Sequence, residues 1–172
     1  MKYLMFIVLI FMGFLLNGCK ISYSFSGANI PPEIKTVSVQ FFPNRVTPGN
    51  GFVNPNFSQT FTDALKDKIK AQTNLVFASD LGDVDFEGEI TRYEAEPLAV
   101  TGREIAELNR FTITVRVKYT NAINPDDSFD TQFSRYEDYQ SSKDLQSVEQ
   151  DLSEKILEQI TEDIFNQAFV NW

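Results

Sequence analysis

The chain has 172 residues, a net charge of −9, no histidine and a single cysteine. Without histidine there is no Ser-His-Asp triad, no Cys-His pair and no histidine-ligated zinc site. So acidic a surface also disfavours nucleic acid and anionic lipid as electrostatic partners, while sixteen phenylalanines and 42% hydrophobic residues describe a chain able to build one real core.

Met1-Lys2 carries one positive charge, and Tyr3 to Leu16 is almost wholly apolar. That run is short of the roughly 20 residues a bilayer-spanning helix needs. With the small residues at its exit it reads as a secretory signal peptide over residues 1–18. The stretch Leu16-Asn17-Gly18-Cys19 resembles the lipobox of bacterial lipoproteins, in which a diacylglycerol is attached to the cysteine sulfur and cleavage falls just before it. The alternatives are a signal peptide that leaves Cys19 as a free thiol, or a short membrane anchor. A lone thiol in an oxidising compartment has no partner for a disulfide, so Cys19 is expected to be the lipidated first residue of the mature chain. Two or more acyl chains give stable anchoring at about 0.8 kcal/mol per buried CH₂. Residues 19–34 are then the lipidated N-terminus and tether, part of it a possible edge strand, and 35–172 a single domain.

Lys35 to Phe42 alternates, placing Val37, Val39 and Phe41 on one face, as a half-buried strand does. Residues 47–51 are a turn-rich loop. Asn54-Pro55 is expected to open a helix, with Asn54 as cap, an apolar stripe of Phe57, Phe61, Leu65 and Ile69, and a left-handed stop at Asn74. A short apolar piece, Leu75 to Phe77, precedes a polar turn. Val84 to Leu98 is a long strand whose apolar phase changes after Ile90, which predicts a bulge. Arg110 to Thr120 alternates cleanly, with Phe111, Ile113, Val115, Val117 and Tyr119 inward. Phe129 to Tyr139 is a further strand, with a phase slip expected between Phe133 and Tyr136. Ser147 to Gln150 has the form of a capping box and opens a long helix striped by Val148, Leu152, Ile156, Ile160, Ile164 and Ala168. The order predicts an α+β two-layer sandwich, two helices on one face of a four-stranded, mostly antiparallel sheet.

Candidate chemistry is sparse. Asp85, Glu87 and Glu89 are numerous enough for a glycosidase pair, but they alternate as the solvated face of a strand does. Asp126, Asp127 and Asp130 are a calcium alternative to a plain Pro-Asp-Asp turn. No phosphate loop occurs, and no catalytic residue, metal or cofactor is assigned beyond the covalent lipid on Cys19. One segment stands apart: the connection 99–109 carries Arg103, flanked by Arg92 and Arg110. Arginine grips phosphate through paired N–H bonds. These three are candidate anion ligands, against the alternative that they pair with Glu94, Glu96, Glu104 and Glu107.

The succession CKISYSFSG, IKTVSVQFFPN and SQTFTDALKDKI, then FEGEITRYEAEPLAVTG, LNRFTITVRVKYTN, FSRYEDY and EDIFNQAFVNW, resembles the LptE family of outer-membrane lipopolysaccharide-assembly lipoproteins, in its Bacteroidetes-type branch. The likeness spans the mature chain in order, and no single motif carries it. It implies two helices on a four-stranded sheet and no enzymatic activity. It also implies a lipoprotein at the periplasmic face of the outer membrane, acting as plug and folding partner of the LptD-type β-barrel. The resemblance further implies lipopolysaccharide as an expected ligand, with Arg103 the first candidate to contact it and Arg110 the second. Lys20 after the lipidated cysteine is compatible with that location. The alternative is an LpoB-like activator of peptidoglycan synthases, which would call for a long linker where this chain has only Lys20 to Pro32. A periplasmic glycan hydrolase would need two opposed carboxylates.

Overall fold

The computed structural model describes residues 29–46, 54–98 and 108–170. Five strands and two α-helices follow in order: β1 (Thr36–Val39), α1 (Phe57–Gln72), β2 (Val76–Phe77), β3 (Val84–Leu98), β4 (Leu108–Asn121), β5 (Phe129–Gln140) and α2 (Leu145–Phe169), with a 3₁₀ turn at Pro125–Asp127 before β5. The sheet order is β2-β1-β3-β4-β5. β1 pairs in parallel with both β2 and β3, while β3–β4 and β4–β5 are antiparallel. The four-stranded, mostly antiparallel expectation is thereby corrected to a five-stranded mixed sheet. The added strand is the apolar piece after α1, held by Val76 N–H to Lys35 O and Ala78 N–H to Val37 O, both 2.9 Å.

Both helices lie against one sheet face and bury their stripes there. Phe57, Phe61, Leu65 and Ile69 of α1 are buried, as are Leu152, Ile156, Ile160, Ile164 and Ala168 of α2, with Leu157, Phe165 and Phe169 widening the second stripe. Their sheet partners are the alternate residues of β3 and β4: Val84, Phe86, Ile90 and Tyr93, and Phe111, Ile113, Val115, Val117 and Tyr119. The change of phase in β3 is a register shift between Ile90 and Arg92, which turns Tyr93 inward after Ile90. The extra residue, Thr91, gives the sheet one more increment of twist.

Five local expectations need correction. Phe41 is 56% exposed, and Phe42 is buried in its place. β1 ends at Val39, and Phe42 fills the space left over Gly88, where a Cβ would come 2.6 Å from the Phe42 ring. The Phe42 N–H donates to Thr62 Oγ1 at 3.2 Å, and its ring lies 5.0 Å from that of Phe61. Helix α1 starts at Phe57 rather than at Pro55. Asn54 Oδ1 accepts the Asn56 N–H at 3.0 Å, an Asx turn before the helix. The helix ends without a left-handed residue: Thr73 is extended, and its N–H and Oγ1 both donate to Ile69 O, at 2.9 and 2.8 Å. Helix α2 begins one residue after Asp144, so Ser147 lies in its first turn and donates back to Asp144 O instead of capping, and Gln150 donates to Glu154. The slip expected in β5 is absent, since its register with β4 runs unbroken from Phe129 to Gln140.

Candidate functional site

The helices cover one face of the sheet. The other face of β3, β4 and β5 is a broad polar surface built by the out-pointing half of three alternating strands. Several of its charges are paired across the strands. Arg116 forms a bidentate pair with Asp130 at 2.8 and 2.7 Å, and Lys118 meets Glu87 at 2.5 Å. Thr114 and Ser134 hydroxyls lie 2.9 Å apart. Arg116 holds the Asp130 carboxyl below the usual range, first by hydrogen bonding, and Asp130 raises Arg116 in return. The pairing fixes side-chain positions more than it stabilises the fold, because exposed ion pairs add little to stability.

The β3–β4 hairpin end was the expected anion site. Cys19 and Arg103 lie outside the described residues. Arg110 is on the open face in a bidentate pair with Asp138 at 2.8 and 3.0 Å, and its guanidinium stacks 3.6 Å above the Tyr136 ring. That bond raises Arg110 and holds the Asp138 carboxyl below its ordinary value. Arg92 pairs with Glu94 and, at 3.1 Å, with Glu96. In the register, Arg110 stands opposite Glu96 and Arg92 opposite Thr114. The two arginines are thus separated by four strand positions, about 13 Å. Each is engaged with carboxylates, and the two do not converge on one point. The acidic partners of Arg92 are two of those foreseen from the sequence. Asp138 and Tyr136 were not foreseen, because only the β4–β5 register places them beside Arg110.

Two carboxylates are buried: Glu149, which periodicity did not mark, and Asp85, which alternation had assigned to the solvated face of the strand. Glu149 of α2 accepts from the Tyr93 hydroxyl and, at 3.3 and 3.5 Å, from Asn54 Nδ2, tying α2, β3 and the entry to α1 together. Asp85 is buried on the open face, where its Oδ1 accepts from Ser38 Oγ and, at 2.9 Å, from Gln40 Nε2. Glu87 is occupied by Lys118, and Asp127 accepts from Asn124 Nδ2 at 2.8 Å. Among the described residues no group of three or more carboxylate, cysteine or histidine side chains is placed to hold a metal ion, and no helix is long and apolar enough to cross a membrane.

The two ends of the molecule differ. The Asn29 N–H donates to Phe169 O at 2.9 Å. Phe169 packs on Phe86 and Tyr119, with ring centroids 5.9 and 6.1 Å away. The chain therefore enters beside the start of β3. From the level of Phe86, β3 runs on to Leu98, about 40 Å at strand rise. The N-terminal entry and the β3–β4 hairpin end lie at opposite poles.

Comparison with known proteins agrees with this architecture. The LptE family, described as lipopolysaccharide-assembly, matches residues 34–168. No curated protein sequence matches the chain. Among solved structures, a minor lipoprotein from Acinetobacter baumannii is similar at 12% identity and a TM-score of 0.50, over 78% of this chain and 92% of that one. A protein from Xanthomonas campestris is similar at 15% identity and a TM-score of 0.56, over 81% and 89%. A hypothetical protein from Chlamydia trachomatis shares 8% identity at a TM-score of 0.52, over 80% and 99%. At these identities the likeness is one of fold.

Proposed function

The chain belongs to the LptE lipopolysaccharide-assembly family, and on that premise we propose that it is an outer-membrane lipoprotein seated inside an LptD-type β-barrel as its plug and folding partner. It is held at the periplasmic face by lipid on Cys19, after removal of residues 1–18, with 19–34 as the tether to a single domain over 35–172. The reading contains no bond-making step and needs no cofactor.

The polarity of the fold is the observation that carries it. The chain enters at one pole, where Asn29 meets Phe169. The hairpin reaches about 40 Å from there, more than the roughly 25 Å apolar band of an outer-membrane barrel. A domain tethered at the periplasmic mouth thus has the length to carry residues 99–107 deep into the lumen. Large barrels are polar inside, and the open face of β3, β4 and β5 is polar, with most of its charges paired, so it can enter such a lumen with few uncompensated ions. Lipopolysaccharide contact is assigned to the hairpin pole. Arg103 is the first candidate there, since Arg110 and Arg92 would have to leave Asp138 and the Glu94–Glu96 pair to grip a phosphate.

Extraction of the native membrane in mild detergent tests this. The protein is expected to co-purify in a fixed ratio with a large β-barrel, with diacylglycerol on Cys19 by mass spectrometry. Recovery solely as a free monomer, or with an unmodified Cys19, overturns the reading.

A further inference from the structure

On the open sheet face beside β1, two large apolar side chains point at solvent: Phe41, displaced outward by Phe42, and Leu81, 75% exposed on the β2–β3 connection. They wall one groove of about 670 Å³, whose lining also includes Gln40, Asp80, Asp85 and Glu87 and no cationic residue. The walls are fixed. Gly82 N–H donates to Ser38 Oγ at 2.9 Å, and a Cβ at Gly82 would lie 2.9 Å from the Val37 backbone, so the Leu81 loop lies flat against β1. Asp85 is fixed too. It is only 7% exposed, and both hydrogen bonds it makes among the described residues end on Oδ1. The carboxylate lines the groove with Oδ2 engaged in neither.

We propose that this groove docks a segment of a partner polypeptide presenting a lysine or arginine between aliphatic residues. Long basic side chains lay an apolar stem along apolar surface and keep the charged head for a polar partner. Here the stem runs between Phe41 and Leu81, and the head meets Asp85. Its charge is further favoured by Asp80. The same charge argument excludes a second copy of this chain, which brings the same acidic face, and an anionic lipid surface. The partner is defined by its chemistry alone, so the inference stands whether or not the protein occupies a barrel.

The test is a titration of the full lipidated protein, in nonionic detergent with empty micelles as blank, by a labelled, capped hexapeptide alternating leucine and lysine, followed by fluorescence anisotropy. Saturable binding is expected, with Leu81→Ser and Asp85→Asn each weakening it about tenfold. The leucine–glutamate counterpart should not bind. Glu154→Gln with Glu158→Gln, which removes two exposed charges from α2, should leave the affinity unchanged. Leu81 is a surface residue whose replacement leaves the core intact, so that variant decides the matter if Asp85→Asn loses its fold. Absence of saturable binding overturns the proposal. So does an affinity that Leu81→Ser leaves intact, or that falls as far with the helix variant as with the groove variants.

Discussion

Two tyrosines tie the stability of this protein to pH. Tyr93 is 1% exposed and donates to the buried Glu149 carboxylate, and Tyr119 is 1% exposed with no hydrogen-bond partner for its hydroxyl among the described residues. Burial pushes both phenols upward. The bond to Glu149 adds to it at Tyr93, and the charge of Asp127 does so at Tyr119. An acid whose folded value exceeds its unfolded value, about 10 for tyrosine, stabilises fully below that pH and loses its contribution as pH rises above it. Denaturant midpoints should therefore hold level to about pH 10 and fall beyond it. Tyr93 and Tyr119 should gain phenolate absorbance only as the chain unfolds, and Tyr93→Phe should flatten the alkaline fall. Ionisation of Tyr93 and Tyr119 near pH 10 in a still-folded protein would contradict this. Neither tyrosine's environment was legible in the sequence. Alternation placed both inward, but it says nothing of what a hydroxyl meets there.

The elements were legible to the degree that their periods had room to show. β4 alternates over its whole length between two neighbours, and each residue expected inward is buried. The bulge in β3 appeared as a change of phase because both halves of the strand are long. β2, with two residues, has no period to read. β5 misled for another reason. It is an edge strand, and its helix-facing side includes Arg135 and Glu137, which bond Asp163 at 2.6 and 2.7 Å and Gln159 at 3.0 Å on α2. An apolar count reads such residues as a slip. The partners of the hairpin arginines were hidden likewise, because they depend on register. Gly88 shows how one small residue sets the element around it. Its absent side chain admits the Phe42 ring, and a Cβ there would also fall 2.0 Å from Arg116 O on β4. Gly88→Ala must push β3 and β4 apart or eject Phe42, at about 1–3 kcal/mol or more. Urea unfolding should show a clearly lower midpoint at unchanged slope. An unmoved midpoint would mean that the ladder yields freely there.

At the scale of the molecule, the hairpin is longer than the sandwich requires. Burial on β3 fades from Tyr93 to an exposed Glu96 and Pro97, and on β4 the deeply buried run begins only at Phe111. The described residues beyond Glu96 and Arg110, which face each other in the register, are Pro97, Leu98, Leu108 and Asn109, and they contribute reach more than core. This separates length from stability. Joining Glu96 to Arg110 by a two-residue turn, in place of residues 97–109, should lower the melting temperature but leave a cooperative fold, since among the described residues it removes only the last rungs of the β3–β4–β5 ladder and the Asn109–Tyr139 hydrogen bond. If the hairpin's reach into a barrel lumen is what the fold is for, the same variant should lose most of its co-purification with the barrel and fail to support lipopolysaccharide assembly in cells depleted of the parent protein. Arg103→Ala in a hairpin of full length distinguishes reach from charge. It should keep the barrel complex and weaken only lipopolysaccharide contact. Full activity of the shortened protein would place the function at the other pole, and equal failure of Arg103→Ala would assign it to the charge of Arg103 rather than to the length of the hairpin.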